Sequence, residues 1–162
     1  MTAARTAPSI DLSMLLNQAG YALTSRLSAA LEELGISVRI YCALAKAADG
    51  EYTQGRLAEL AWMDKTTMVV TLDEMEARGL AERRHAPGDR RVRVIAITPQ
   101  GRAVLGKADR IVQDLYDELL ADVAPRQRDA FLAVLQQLVA GPLAAPFHLE
   151  KPARRRRQRS AA

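Results

Sequence analysis

A chain of 162 residues, 49% of them hydrophobic, can bury one substantial core; with only 4% aromatics that core must rest on Leu, Val, Ile, Ala and Met. A single cysteine, Cys42, excludes an internal disulfide and a cysteine-based zinc site, and no apolar run is long enough for a membrane span. The net charge of +4 is uneven: residues 150–162 carry Lys151, Arg154, Arg155, Arg156, Arg157 and Arg159 against Glu150, a segment of +5, and the difference leaves the rest of the chain at −1. Any contact with nucleic acid must therefore be a local patch plus this tail. The N-terminal M-T-A-A-R-T-A-P lacks the apolar core of a secretion signal, so a cytoplasmic protein is expected.

Residues 1–10 read as disordered. From Asp11 the spacing predicts a helix to about Leu34, with Leu12, Leu16, Ala19, Leu23, Leu27, Ala30 and Leu34 as one stripe. Gly35 closes it and Ser37 caps a second helix, Val38 to Ala48, ending in Asp49-Gly50. Cys42 has apolar neighbours in sequence and reads as a buried, inert thiol rather than a redox sensor. Glu51-Tyr52-Thr53 is a scrap of strand at most. Thr53 then caps a short helix from Gln54 to about Ala61, with Leu57, Leu60 and Ala61 turned inward.

Trp62-Met63 leads into the helix that the chain is organised around. Asp64 caps it, Gly79 closes it, and Met68, Leu72 and Met75 form its apolar stripe. The opposite face offers Lys65, Thr66, Val69, Val70 and Asp73. A cation, hydroxyls and small apolar groups at a helix N-terminus suit a nucleic-acid groove, although an ordinary surface helix would share the pattern. With the short helix before it, this is a helix-turn-helix, with Trp62 where many such turns carry glycine.

After Gly79 the period becomes strand-like. Leu80 to His85 and Val92 to Thr98 form the arms of a hairpin around the turn cluster Ala86-Pro87-Gly88-Asp89, with a bulge or cover on both faces expected at Ile95. Arg83, Arg84, Arg90, Arg91 and Arg93 face only Glu82 and Asp89 in the sequence, so the hairpin is basic. It suits a narrow minor groove, and a merely solvated basic hairpin is the alternative. Thr98-Pro99 opens a helix to about Val123, with Val104, Ala108, Ile111, Leu115, Leu119 and Asp122 on one stripe and Leu105, Val112 and Leu120 beside it. Pro125 opens a last one, rich in Phe131, Leu132, Val134, Leu135, Leu138 and Val139 and stopped by Gly141-Pro142. The apolar surplus of these two helices and the first predicts a dimer made by terminal helices; a larger monomeric core is the alternative. Residues 142–162 read as a basic disordered tail.

Catalytic chemistry is missing from the pattern. The only histidines are His85 and His148, there is no glycine-rich phosphate loop, and no serine or cysteine sits in an activating context. No enzyme activity, cofactor or metal is expected.

The order of elements, the run L-x-E-M-E-A-R-G-L ending at Leu80, and G-D-R-R-V-R-V-I-A-I-T from Gly88 to Thr98 together resemble the MarR (multiple antibiotic resistance regulator) family of bacterial transcription factors. Architecture is similar over about residues 11–140 and sharply so over 53–98. The resemblance implies a mainly α fold with a small β-hairpin: a dimerisation helix at 11–34, a winged helix-turn-helix lobe at 35–98 and C-terminal dimerisation helices at 99–141. It implies a homodimer that binds a palindromic operator on double-stranded DNA, usually repressing, and releases it when a small ligand or oxidant acts; a small phenolic or aromatic effector is expected, with no membrane involved. By the same resemblance Asp89 orients the wing and Arg91 enters the minor groove. The candidate DNA contacts are Thr53, Gln54, Lys65, Thr66, Thr67, Val69, Val70, Arg83, Arg84, Arg90, Arg91 and Arg93; Tyr21, Tyr41, Cys42 and Met63 are candidates for an effector pocket, or plain core. Val70 stands where many relatives carry a long polar side chain, Ile97 where leucine is usual, and Cys42 lies in the second helix rather than the first, where peroxide sensors hold their cysteine. A winged helix docking an acidic protein partner is the competing function, although a protein groove would want larger apolar anchors.

Overall fold

The computed structural model describes residues 11–144. The chain divides after Leu119 into two compact units, Met1–Leu119 and Leu120–Ala162. The first holds the core. Helix α1 (Leu12–Leu31) starts at Asp11, whose carboxylate accepts from the Met14 N–H at 3.0 Å; that bond holds the carboxyl below its ordinary range. It stops three residues short of the predicted end. Glu32–Leu34 tighten into a 3₁₀ turn closed by Gly35 at φ 62. Only Leu27 and Leu31 of α1 are buried, and Leu31 lies off the predicted stripe. Leu12 and Leu16 are exposed.

Helix α2 (Val38–Ala48) is capped by Ser37 and buries Ile40, Ala43, Leu44 and Ala47. Helices α3 (Gln54–Leu60) and α4 (Lys65–Ala77) follow. In α3 the inward residues are Leu57 and Ala58, while Leu60 and Ala61 are only half-buried. Met68, Leu72 and Met75 of α4 are wholly buried, so the helical spacing had the correct face. The two strands, β1 (Ala81–Ala86) and β2 (Asp89–Ile97), pair antiparallel. Helix α5 (Pro99–Leu119) ends four residues before the predicted Val123, because residues 120–122 turn and the Val123 N–H donates to the Leu120 carbonyl. Its buried edge is Gly101, Leu105, Ala108 and Val112, so Ala108 of the expected stripe and the flanking Leu105 and Val112 are buried, while Val104, Ile111 and Leu115 are half-buried.

Val94, Ile95, Ala96 and Ile97 are all buried, so the base of the hairpin is core rather than a solvated arm. Ile95 is covered on both faces, and its N–H donates to the Tyr52 carbonyl at 2.9 Å, giving the scrap of strand its one bridge. The ladder runs unbroken through Ile95; the irregularity falls instead at His85/Ala86, nearer the tip. The second unit contains α6 (Pro125–Ala140), opened by a proline in its first turn, with no buried residue. The sequence-predicted disorder of residues 1–10 and nearly all of the basic tail lie outside the described residues. Among those described, no helix is long and apolar enough to cross a membrane.

Candidate nucleic-acid interface

The helix-turn-helix is built by caps. Thr53 accepts from the Arg56 N–H at 3.3 Å to start α3, and Asp64 accepts from the Thr67 N–H at 2.9 Å to start α4. Between them Trp62 takes φ 53, a left-handed conformation that glycine adopts without cost, and its side chain is 59% exposed rather than folded over the turn. The Thr67 hydroxyl also donates to Asp64, at 2.6 Å, and these two hydrogen bonds hold the Asp64 carboxyl below its ordinary range. Thr67 is thereby half-buried and engaged in the cap, while Lys65, Thr66, Val69 and Val70 stand exposed in one patch. Of the other two candidates at the start of α3, Thr53 is exposed and Gln54 half-buried.

The hairpin separates its arginines. Pro87 and Gly88 make the turn, with Gly88 at φ 86, where a type II turn needs a positive value. Asp89 follows, and its carboxylate accepts from the Arg91 N–H at 2.8 Å, fixing the start of β2. Pairing passes from His85↔Arg93 to Ala86↔Asp89, so Arg90 and Arg91 lie in the register shift at the tip. Arg90, Arg91 and Arg93 are exposed, and none is ion-paired with a described residue.

Arg83 and Arg84 require a correction. They do not face only Glu82 and Asp89. Arg83 is bound to Asp73 and Glu76 of α4, and Arg84 to Glu51, whose hydrogen bond raises the Arg84 pKa further. Their partners lie 7 to 33 residues away in sequence, so local charge counting missed them.

A model of the MarR family matches residues 43–92, from α2 into the wing. The transcriptional regulator HosA of Escherichia coli O111:H- is 30% identical over 86 residues, 53% of this chain and 64% of HosA, so the chain spans just under two thirds of that curated relative. A MarR-family regulator from Rhodococcus sp. RHA1 superposes with TM-score 0.76 at 28% identity, over 85% of this chain and 98% of that one. CouR from Rhodococcus jostii RHA1, solved bound to p-coumaroyl-CoA, gives TM-score 0.74 at 28% identity over 90% and 100% of the two chains. Over residues 43–92 the chain is similar to the MarR family, and its structural likeness extends over most of its length. Its fold is the winged helix-turn-helix of that family, and its matched relatives are transcriptional regulators rather than enzymes.

In this chain the four effector-pocket candidates do not form one pocket. Tyr21 is 80% exposed on α1, and Met63 packs against the core from the turn before α4. Tyr41 and Cys42 share a different cluster, with Tyr116 and Asp109 of α5. The Tyr41 hydroxyl donates to Asp109 at 3.1 Å; burial, then that carboxylate, pushes its pKa up to about 12. Burial also raises the Cys42 thiol, against a smaller opposing pull from Lys46, and keeps it protonated. Tyr116 was missed because nothing local in α5 marks it. A separate cavity of about 360 Å³ lies between the end of α2, the hairpin base and the start of α5, lined by Glu51, Glu82, Arg84 and Arg102 and by none of the four.

Proposed function

We propose that this protein is a DNA-binding transcription regulator that acts as a homodimer on a palindromic operator, represses from it, and is released by a small effector. The observation that carries the reading is the exposure of Lys65, Thr66, Val69 and Val70 on α4 together with that of Arg90, Arg91 and Arg93 on the wing, none of which is ion-paired with a described residue. A helix of this size fits the major groove, and arginines at a hairpin tip fit the deep negative potential of a narrow minor groove. With Arg83 and Arg84 engaged in ion pairs, we assign the wing's DNA contacts to the three arginines nearer the tip. An acidic protein partner could use the same cations but would leave Val69 and Val70 without a role.

Two exposed apolar faces support the dimer. In the first unit Leu12, Met14 and Leu15 of α1 are each more than half exposed; in the second, Phe131 and Val134 of α6 are as well. Patches of this kind on an isolated chain mark association surfaces, and a second copy is the occupant we propose. The effector class rests on CouR, whose bound p-coumaroyl-CoA has a phenolic end. An electrophoretic shift on the protein's own upstream DNA at nanomolar protein and moderate salt tests the reading; absence of any shift rejects it. Sedimentation at micromolar concentration tests the dimer, and a monomer there rejects that part alone.

A further inference from the structure

Arg83 stands at the middle of β1, opposite Ile95, which is only 2% exposed, so this rung of the hairpin is fixed in the core. Its guanidinium reaches out of the hairpin to α4. One nitrogen donates to Glu76 and another to Asp73 at 2.8 Å, while its backbone N–H donates to the second Glu76 oxygen at 2.8 Å. Asp73 and Glu76 are three residues apart on α4 and so lie on one face, where they repel each other unless a cation sits between them. The planar fork of arginine can serve both at once; an ammonium is a single point charge. The side chain is 22% exposed, so the pairs are partly shielded from solvent. The trio carries a net −1 charge and has no surplus positive field to offer a phosphate.

We propose that Arg83 is a positioning residue for DNA recognition: it pins the first strand of the wing to the second half of α4 and so sets the angle between the two elements that enter neighbouring grooves. The inference rests on the reading of α4 and the wing as the DNA-contacting pair. Arg84, paired to Glu51 outside α4, makes no such link.

The two possible roles of Arg83 predict opposite signs. Removing a carboxylate beside DNA should tighten binding by simple electrostatics, whereas breaking the link should weaken it. For Glu76→Gln we expect roughly tenfold weaker binding, a similar loss for Arg83→Lys, and no additional loss in the double variant, because both remove one coupling. The salt slope should be unchanged throughout, since no phosphate contact is lost. Without DNA, backbone amides of residues 81–97 should exchange faster in each single variant and no faster still in the double. The proposal is overturned if Arg83→Lys binds like the wild type, if Glu76→Gln binds more tightly, or if Arg83→Gln flattens the slope by about 0.9, the signature of one phosphate contact. Failure of the wild type to bind any DNA would defeat the function reading instead; the exchange comparison would then decide the link alone, and unchanged exchange in both single variants would refute it.

Discussion

Val70 is 57% exposed and Val69 38%, on a face whose other members are polar. Their side chains have no hydrogen-bonding atom, and the only apolar feature of the major groove is the thymine methyl. Within the proposed operator, Val70→Ala should cost less than about 1 kcal/mol at other bases and more at its thymine, out of the roughly 1–3 kcal/mol of a good base contact. Uracil in place of thymine removes the methyl alone; tolerance of uracil at every half-site position would show that the valines read no base. Tyr41 gives a prediction independent of DNA. Its protonated form is favoured in the fold, with the pKa raised from 10.0 to about 12, so the contribution is fully present below pH 10 and is lost as pH rises from 10 to 12. Solvent access reduces the effect to about 1 kcal/mol. Denaturation midpoints should therefore fall across that window more steeply for the wild type than for Tyr41→Phe, and parallel curves would show that folding does not raise the Tyr41 pKa.

At the scale of elements, the sequence marked starts well and ends less well. Capping residues are local, so Ser37, Thr53, Asp64 and Thr98 were all legible, whereas α1 and α5 stop where packing and a turn intervene rather than where a residue type forbids helix. The stripe of α4 was legible because it is buried on one face alone. In α5 Ala108 and its flanking Leu105 and Val112 were legible, whereas Gly101 was missed because a glycine carries no apolar signal. A Cβ on Gly101 would lie 2.0 Å from the Leu80 carbonyl oxygen, a backbone atom that cannot swing aside. Gly101→Ala should therefore cost at least about 1–3 kcal/mol by overpacking, despite alanine's better helix propensity; an unchanged urea midpoint would contradict the close approach. Arg78 shows the same limit of local reading. It lies within the motif that identifies the end of α4, but its guanidinium donates to the carbonyls of Gly35 at 2.6 Å and Leu34 at 3.3 Å, 43 and 44 residues away. Its own carbonyl accepts from Gln100 of α5 at 3.1 Å. Arg78→Ala leaves those α1-end carbonyls without their donor and should cost about 1–2 kcal/mol, read by chemical denaturation; a neutral result would mean water replaces the guanidinium.

For the molecule as a whole, charge is divided in a way that sets how it should meet DNA. Outside residues 150–162 the chain carries −1, so it offers little long-range attraction to a polyanion. Several of its cations are already neutralised: Arg56 by Glu59, Arg78 by Glu74, Arg83 by Asp73 and Glu76, Arg84 by Glu51. Lys65, Arg90, Arg91 and Arg93 remain on the proposed interface of each protomer. Releasing counterions from one phosphate per cation, a dimer without its tails should show a slope of log K against log salt no steeper than about −7. The tail's arginines, with no carboxylate among them after Glu150, can add to that slope without reading sequence. Truncation after Leu149 should therefore weaken binding to operator and random DNA by the same factor and flatten the slope, while leaving the ratio between the two DNAs unchanged. Equal slopes before and after truncation would show that the tail never reaches DNA. A changed ratio would show that it takes part in reading the operator, which residues able only to neutralise phosphates cannot do.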